Sequence, residues 1–537
     1  MNGNKIVSAQ EAVALVQDGD TLATAGFVGV GFPEALACAL EARFEDQASP
    51  RDLSLVYAAG QGDGKQRGLN HLAHEGMVKR VIGGHWGLVP GLGRLARENK
   101  IEAYNLPQGV ICQLFRDIAA GRPGCLTHVG LNTFVDPRVD GGKLNDVSTE
   151  DLVQLLPVNG QDHLFYKAFP INVAFLRGTT ADPLGNISME REALPLESLA
   201  IAQAVKNSGG TVIVQVERVT ERHNLHPSMV RIPGILVDRV VVADQEHHWQ
   251  TFAEVYNPSY TGEIQAHTDL EKAPMDARKL IARRALMELK PGATINLGIG
   301  MPETLAPVAN EEGLLDAVTM TIEPGGIGGL PAGGLSFGAV INPHSMIDQP
   351  SQFDFYDGGG LDQAFLGMAQ VSPAGDVNVS RFGERIAGAG GFINISQNAR
   401  EIYFMGTFLS GKPAMTIGDN GLSDLTPSGQ RKFVKEVGHL TFSGRYAAER
   451  GQRVFYITER CVFQLTPEGL ELIEIAPGVD LEKDILAHMD FRPRIAQTLC
   501  QSDRRLYRQG PMNLRHPGSA GIDHLRKALA QAPHMLL

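Results

Sequence analysis

The chain carries, between residues 18 and 36, the stretch Asp18-Gly19-Asp20-Thr21-Leu22-Ala23-Thr24-Ala25-Gly26-Phe27-Val28-Gly29-Val30-Gly31-Phe32-Pro33-Glu34-Ala35-Leu36. It predicts a turn, a short apolar strand, a glycine loop and a helix that has proline in its first turn. A capping box, Ser8-Ala9-Gln10-Glu11, predicts another helix just before it. Helix, strand, glycine loop and helix in this order are typical of an α/β protein.

The same order recurs after the midpoint, in Thr294-Ile295-Asn296-Leu297-Gly298-Ile299-Gly300-Met301-Pro302-Glu303. A second pair of matching segments, Ala174-Phe175-Leu176 and Ala364-Phe365-Leu366, follows in each half in the same order. Although α/β proteins reuse strand–glycine–helix corners, two ordered matches favour an internal duplication. We therefore predict two homologous open α/β domains with mostly parallel sheets.

Continuous apolar runs such as Thr211–Val216 and Arg453–Ile457 support parallel sheets, because strands covered on both faces need no polar alternation. A polar segment that contains Pro274 separates the halves, and Asp276 is predicted to cap the next helix. The predicted organisation is an N-terminal domain 1–268, a linker 269–275, a C-terminal domain 276–515 and a peripheral tail 516–537.

The composition limits the possible partners and location. The chain has 537 residues, a net charge of −12 and no basic run, which argues against nucleic-acid binding. Its five cysteines form no CxxC pair, so a reducing compartment is expected. With no stretch of transmembrane length, we expect a cytoplasmic protein that has no membrane partner.

Several familiar motifs are absent or out of context. There is no GxxxxGK[ST] and no GxGxxG with an acidic partner, which argues against nucleotide hydrolysis and NAD binding. His71 and His74 stand three apart without an HExxH, and we interpret them as a satisfied pair, so no metal is predicted. The sequence Gly334-Leu335-Ser336-Phe337-Gly338 matches a serine-hydrolase elbow, but a glycine loop precedes it where a strand is required.

A carboxylate beside a glycine loop is the leading catalytic candidate. In Thr321-Ile322-Glu323-Pro324-Gly325-Gly326-Ile327-Gly328-Gly329, Glu323 ends a β-rich run. Glycines let a backbone approach a ligand and direct N–H groups at developing charge. Glu323 is therefore placed to be a nucleophile, although a surface acidic residue before a turn has the same pattern.

Two further segments support this interpretation. Residues 388–396, Gly-Ala-Gly-Gly-Phe-Ile-Asn-Ile-Ser, are predicted to form a glycine turn that runs into an apolar strand and offers N–H donors. In the other half, Asn105-Leu106-Pro107-Gln108-Gly109 presents an amide that can bind a substrate carboxylate. A tight turn and a plain loop remain alternatives for these two segments.

Taken together, these segments resemble the family I coenzyme A-transferases, especially single-chain enzymes for acetate and propionate. The resemblance covers nearly the whole chain and rests on residues 26–34, 105–109, 323–329, 352–360, 388–396 and 456–460. It implies a CoA-transferase fold whose two halves correspond to the α-like and β-like subunits of relatives. It also implies a homotetramer, acyl-CoA and short-chain carboxylates as partners, and no cofactor beyond CoA, a substrate and transient adduct.

The resemblance further assigns roles to individual residues. Glu323 is the residue that carries CoA as a γ-glutamyl thioester, and its ordinary pKa predicts a carboxylate that is ionised at neutral pH. Backbone donors are expected at Gly390 and Gly391, a weaker side-chain donor at Asn378 and an acyl contact at Gln108. The glycines expected to line the site are Gly29, Gly31, Gly325 and Gly326.

The sequence leaves the CoA-phosphate contacts and the choice between rival functions open. Arg381, Arg385, Arg400 and Lys412 are unranked candidates for the CoA phosphates. Glu34 and Glu303, which begin helices, are given a structural role. An acyl-CoA hydrolase on the same fold, a non-catalytic acyl-CoA sensor and a serine esterase at Ser336 remain as rival functions.

Overall fold

The structure is a computed structural model that describes residues 5–267, 272–412 and 414–514. Each half of the chain builds one large β-sheet with helices packed on it. Three clusters of buried apolar side chains fill the spaces between sheets and helices. The fold is therefore α/β, with two domains, as the sequence predicts.

The N-terminal sheet has eight strands, and all of its neighbouring strands are parallel. The strands are, in spatial order, Ile6–Val7, Arg239–Val242, Thr211–Val216, Val173–Arg177, Thr21–Thr24, Leu53–Tyr57, Val78–Gly83 and Glu102–Asn105. The central ones are buried along most of their length, which explains their continuous apolar sequence.

The C-terminal sheet has ten strands, which are parallel at the centre, antiparallel at one edge and mixed at the other. Its strands are, in spatial order, Ser345–Met346, Gly326–Ile327, Thr319–Thr321, Thr294–Leu297, Gln363–Gly367, Glu401–Met405, Arg453–Ile457, Cys461–Thr466, Gly469–Ile475 and Arg494–Gln501.

The two sheets share the order of their five central parallel strands. In the first half this order is 239–242, 211–216, 173–177, 21–24 and 53–57, and in the second half it is 453–457, 401–405, 363–367, 294–297 and 319–321. Each strand of one series has its counterpart at the same place in the chain order of the other. The predicted duplication is thus visible in the topology.

Helices cover the sheets and join the halves. The α-helices are Ala9–Val13, Glu34–Gln47, Pro90–Arg97, Gln108–Ala119, Ser198–Asn207, Ala277–Leu286, Leu305–Glu311, Gln349–Asp357, Phe392–Asn398 and Gly444–Glu449. Small sheets lie at the periphery, among them Gly124–Thr127 with Gln161–Lys167 and Val153–Val158, and the hairpin Arg381–Phe382 with Arg385–Ile386. Within the described ranges, no helix is long and apolar enough to cross a membrane.

Two predicted helix starts are confirmed, and one predicted strand is wrong. The capping box at Ser8 is present, and the Asp276 side chain accepts from the N–H of Lys279, as expected. The segment after Gly391, however, is the helix Phe392–Asn398 and not a strand. Every residue of this helix is buried, because it packs between the halves, and this tertiary environment overrides the β-like sequence Phe-Ile-Asn-Ile.

The predicted boundaries between the domains stay predictions. Residues 272–275 of the linker have no regular structure, whereas residues 268–271 and the tail from 515 onward lie outside the described residues. Buried apolar side chains cross this boundary: Phe337 and Ala339 of the second half lie in a core cluster of the first half, and a second cluster contains residues of both halves. The two halves are therefore interlocked by side chains beyond the linker.

Candidate active site

Glu323 lies just after the strand Thr319–Thr321, at the carboxyl edge of the C-terminal sheet. A tight turn places it there, since the N–H of Gly325 donates to Ile322 O at 3.2 Å and the N–H of Ile322 donates to Gly326 O at 3.1 Å. Carboxyl edges are where open α/β sheets bind ligands. The predicted strand end before Glu323 is confirmed.

Glu323 faces a cavity of about 200 Å³ whose walls come from both halves. The first half contributes Phe27, Val28, Gly60, His85, Leu88 and Gln108. The second half contributes Gly298, Ile299, Glu323, Phe337, Leu366, Gly367, Val379, Ala387, Gly388, Ala389, Gly390, Gly391 and Phe392. Three polar side chains, those of Glu323, Gln108 and His85, thus stand in a wall of apolar residues and glycines.

The Glu323 carboxyl group is held in an apolar environment. The residue is 8% exposed, and its Oε2 has no hydrogen-bond partner within the described part of the chain. Burial raises the pKa of Glu323 to about 7, well above its ordinary value, because an apolar site disfavours the charged form. The expectation of a fully ionised carboxylate at neutral pH is corrected: about half is neutral near pH 7.

A hydrogen-bonded group fixes the strand end beneath Glu323. The Tyr356 hydroxyl donates to Thr321 Oγ1 at 2.8 Å, and Asn296 Nδ2 donates to Tyr356 Oη at 3.3 Å. Burial, and next the nearby charge of Glu323, raise the pKa of Tyr356 above its usual range, so it remains a neutral donor. The carboxylate is therefore supported by groups that do not neutralise it.

The glycine segment 387–391 is hydrogen-bonded to the first half. The N–H of Trp86 donates to Ala387 O at 2.8 Å, the N–H of Gly390 donates to Gly84 O at 2.7 Å, and the N–H of Gln108 donates to Gly390 O at 3.0 Å. Glycine is required at 388, where φ is +78° and a Cβ would lie 2.9 Å from the backbone of residues 85 and 86. The Gly390 N–H is therefore engaged within the protein, contrary to its predicted role as an oxyanion donor.

Gly391 is better placed for that role. Its N–H donates to no acceptor among the described residues, and a Cβ at this position would lie 2.9 Å from Glu323 Cγ. Its backbone, with φ of −79° and ψ of −3°, would accept any residue, so space and not conformation demands glycine here. Gly391 thus borders the carboxylate directly.

Replacing Gly391 with alanine is expected to lower kcat about 100-fold, because the methyl group displaces the carboxylate and small misplacements of reacting groups are costly. Gly367→Ala is the matched control, since Gly367 also lines the cavity and a Cβ there meets nothing within 4 Å. Steady-state kinetics of both variants test this, and equal activity of the two would contradict the assigned position.

Gln108 reaches the cavity from the first half, as predicted. It begins the helix Gln108–Ala119, is 2% exposed, and its Nε2 has no partner within the described residues. Its neighbour Asn105 is instead a bridge between the halves: Nδ2 donates to Gly83 O at 2.8 Å, while Oδ1 accepts from the N–H of Ala389 at 2.9 Å. An unpartnered buried amide is a group that awaits a ligand.

His85 is a cavity residue that the sequence did not single out. Burial, with the charge of Arg385 as the smaller cause, lowers its pKa to about 4, so the ring is neutral at physiological pH. Its Nδ1 has no hydrogen-bond partner among the described residues. The available signal was its position in Gly83-Gly84-His85-Trp86-Gly87, a histidine between glycines after an apolar strand.

Val28 holds a strained conformation in the cavity wall. Its φ is +55°, a region that β-branched residues rarely adopt. The N–H of Val28 donates to Gly60 O at 2.7 Å, and its carbonyl accepts from the N–H of Gly62 at 3.0 Å. Such strain costs about 1–3 kcal/mol and is concentrated at functional sites, in agreement with a preorganised wall.

Five of the predicted site residues are not among those that line the cavity. Asn378 uses its Nδ2 on Gln370 and on the carbonyl of Arg381, and its Oδ1 accepts from the N–H of Ser380, so it stabilises its own loop. Gly29 and Gly31 pack behind Phe27 and Val28, where Cβ atoms would meet Phe252 and Leu196 respectively. The other two, Gly325 and Gly326, shape the turn at Glu323.

The four basic candidates for the CoA phosphates lie at different distances from the cavity. Arg381 and Arg385 belong to the hairpin that leads into the cavity wall at Ala387, and Arg385 lies close enough for its charge to act on His85. Arg400 precedes the strand Glu401–Met405 and pairs with Asp362, so it lies at the opposite edge of the sheet from Glu323. Lys412 is an exposed residue before another hairpin and does not line the cavity.

The structure also shows the surroundings of Ser336 and Glu34. Ser336 lies in the 3₁₀ turn Gly334–Ser336, with no helix after it, and its Oγ contacts Thr251 and Glu254 instead of a histidine. This arrangement is not a nucleophile elbow. Glu34 is buried and hydrogen-bonded to the N–H of Gly68, in keeping with a structural role.

The chain is similar to proteins of known activity. The coenzyme A transferase family matches residues 6–243. The chain is 47% identical to a caffeate CoA-transferase of Acetobacterium woodii over 510 residues, 94% of this chain and 97% of that protein. It is 45% identical to the acetate CoA-transferase YdiF of Escherichia coli (strain K12) over 518 residues, 96% of this chain and 97% of that protein.

A solved structure extends the likeness to the whole fold. The acyl-CoA transferase YdiF of E. coli O157:H7, in a thioester complex with CoA, superposes with a TM-score of 0.90 at 43% identity. The match covers 96% of this chain and 98% of that chain. The similarity therefore includes both halves and the segments that meet at Glu323.

Proposed function

Because the chain belongs to the coenzyme A transferase family and is an enzyme of that type, we propose that it moves CoA between short-chain acyl-CoA thioesters and free carboxylates through a covalent thioester at Glu323. The observation that carries this proposal is the Glu323 carboxyl, whose buried Oε2 has no partner among the described residues, in a largely apolar cavity. The thioester complex of the E. coli relative supports a covalent step of this kind.

The proposed chemistry takes its driving force from the acyl-CoA thioester itself. The Glu323 carboxylate attacks the acyl carbonyl carbon, and the C–S bond of the tetrahedral adduct breaks, which releases CoA as a thiolate and leaves a mixed anhydride on Glu323. The thiolate then attacks Cδ of Glu323, the anhydride C–O bond breaks, and the first carboxylate departs. An incoming carboxylate reverses both steps, so one thioester is exchanged for another without ATP.

The apolar cavity favours this sequence. A desolvated carboxylate with a pKa of about 7 is a stronger nucleophile than one in water, and about half of it is ionised near neutral pH. Each addition creates an oxyanion, for which the Gly391 N–H is the nearest unengaged backbone donor that we assign. One such donor is worth about 3–4 kcal/mol of transition-state stabilisation.

The polar groups opposite Glu323 suit a carboxylate acceptor. The Gln108 amide and the neutral His85 ring present unpartnered buried atoms from the first half. A cavity of about 200 Å³ between Phe27, Phe337 and Phe392 fits a short acyl chain. The relative named for caffeate makes an aromatic acyl group the second candidate, which a panel of acetate, propionate and caffeate acceptors distinguishes. A homotetramer remains a prediction.

Acceptor dependence separates transfer from hydrolysis, the rival that the named relatives do not favour. Intact-protein and peptide mass spectrometry after mixing the enzyme with acetyl-CoA and no acceptor is the direct test. We expect a CoA adduct on the peptide that contains Glu323, discharged by added acetate. Steady release of free CoA without acceptor would identify a hydrolase, and an acyl group on Ser336 would overturn the proposal.

The position of the basic residues gives a second prediction. We expect Arg385→Ala to raise KM for acetyl-CoA about tenfold, the effect of one charge-assisted contact of about 1.5 kcal/mol. Arg385 is exposed and forms no ion pair within the described ranges, so it is free to meet a phosphate. Arg400→Ala, at the other sheet edge, is the control; a larger effect there in steady-state kinetics would contradict this assignment.

A further inference from the structure

Three potential metal-ligating atoms converge outside the active cavity, in the first half. They are Glu34 Oε1, Cys38 Sγ and His71 Nε2, all within 4.8 Å of one another. His71 Nε2 lies 3.0 Å from Glu34 Oε1 and 3.4 Å from Cys38 Sγ. The group is independent of the proposed reaction, because none of the three residues lines the cavity.

Two structural elements hold these atoms in place. Glu34 and Cys38 lie one turn apart on the helix Glu34–Gln47, so their side chains share a face. His71 approaches from the 3₁₀ helix Leu69–Leu72. The second oxygen of Glu34 accepts from the N–H of Gly68 at 3.0 Å, which fixes the carboxylate and leaves Oε1 directed at His71.

A second carboxylate supports the histidine from behind. His71 Nδ1 is hydrogen-bonded to Glu41, and the other oxygen of Glu41 bonds to His74 Nε2 at 2.8 Å. A carboxylate on the far nitrogen is the usual support of a metal-bound imidazole, since it fixes the ring and increases its basicity. The cluster thus has both a ligand set and the outer shell that such a set requires.

The separations match a tetrahedral ion. With metal–nitrogen and metal–oxygen bonds of about 2.0–2.1 Å and a metal–sulfur bond of about 2.3 Å, tetrahedral angles place N and O about 3.3 Å apart and N and S about 3.6 Å apart. The observed 3.0 and 3.4 Å are shorter by only a few tenths of an ångström.

We propose that Glu34, Cys38 and His71 form a Zn²⁺ site, with a water as fourth ligand at the partly exposed Cys38. Thiolate, imidazole and carboxylate together suit zinc better than magnesium or calcium, which prefer oxygen ligands. Binding releases the thiol proton and the proton held at His71 Nε2 to solvent. The residues are four and thirty-three positions apart along the chain, a spacing that matches no zinc motif in sequence.

The proposed zinc site would stabilise two segments that form the wall of the active cavity. Glu34 directly follows the glycine loop that carries Phe27 and Val28, while His71 follows the segment that starts at Gly60. An ion shared by both elements ties these two parts of the wall together. Zinc therefore stabilises the folded state and takes no part in the reaction.

Cobalt substitution of the full-length protein tests the site. After removal of metals with a chelator, Co²⁺ is added and the thiolate-to-metal charge-transfer absorption is recorded, with metal content measured in parallel. We expect one equivalent per chain with a thiolate band, and a rise in Tm on adding Zn²⁺. Cys38→Ser should abolish the band and the rise in Tm, whereas Cys500→Ser, at an exposed thiol, should retain both.

A neighbouring cluster provides the counter-test. Glu41, Glu45 and His74 also bring ligand atoms together, without a thiol. Binding lost in His74→Gln but kept in Cys38→Ser would place the ion there and overturn the proposal. Absence of saturable binding near one equivalent would overturn it as well.

Discussion

Exchange of Glu323 for glutamine is expected to lower kcat/KM for CoA transfer by at least about 10⁴-fold, the scale found when a covalent nucleophile is removed. Glutamine keeps the shape of the side chain in its tight position against Gly391 but cannot form an anhydride. The fold should persist, because Oε2 makes no hydrogen bond with the described residues that the amide would lose. Steady-state exchange between acetyl-CoA and propionate measures the effect.

A carboxyl group in the same half serves as the control for this variant. Glu303 lies in the 3₁₀ helix Pro302–Thr304, and burial also raises its pKa. Glu303→Gln should keep near-normal activity, since that carboxylate does not line the cavity. If Glu323→Gln retained acetate-dependent exchange, or if both variants lost activity equally, a nucleophilic Glu323 would be refuted.

The pH dependence of the reaction should follow Glu323. Since burial raises its pKa to about 7, kcat/KM is expected to fall about tenfold for each pH unit below pH 7 and to level off above it. An ordinary glutamate would give the same fall only below about pH 4.5. His85 should add no step in this range, because burial lowers its pKa to about 4.

The burial of Glu323 also makes the stability of the protein depend on pH. Stability should fall as pH rises, whereas activity should increase. Below pH 4.5 the carboxyl is neutral in the folded and unfolded states, so its burial costs little. Between pH 4.5 and about 7 the unfolded chain ionises this carboxyl while the folded protein keeps it protonated, so about 3 kcal/mol of stability is lost over this interval and no more above it. The enzyme is therefore most active where this residue stabilises it least.

Glu323→Gln isolates this contribution, because glutamine does not ionise. Its Tm should equal that of the unmodified protein near pH 4.5, exceed it increasingly up to about pH 7, and keep a constant excess from there to pH 8. Thermal melts of both proteins across this range measure the difference. A difference that does not change with pH, or one that shrinks as pH rises, would show that Glu323 titrates normally in the folded state.

Local sequence was a good guide to the strands and to several helix starts. The strands Thr211–Val216 and Arg453–Ile457 have the predicted bounds. Both are runs of apolar and β-branched residues, and such a run alone identifies a strand that is covered on both faces. The helix Phe392–Asn398 was missed because it packs between the two halves. All seven of its residues are buried, including four polar ones, so the division into an exposed polar face and a buried apolar face that reveals a helical period is missing.

The candidate site was predictable in its position but not in its electrostatics. Glu323 stood out because a carboxylate before so many glycines is unusual, and the structure places it in a cavity. Its raised pKa comes from burial in a cavity that both halves line, and the burial of a side chain by distant segments is not readable from local sequence. The engaged N–H of Gly390 is likewise a contact across the halves, with Gly84, that no local pattern contains.

The matching strand order of the two halves also determines how many reactive centres one chain can hold. In register, Ser54 pairs with Thr21 as Thr319 pairs with Thr294, so the counterpart of Glu323 in the first half is Ala58. Ala58 is fully buried and has no side chain capable of attack. The proposed thioester therefore has one possible position in the two matching copies, and we expect complete labelling to stop at a single CoA per polypeptide.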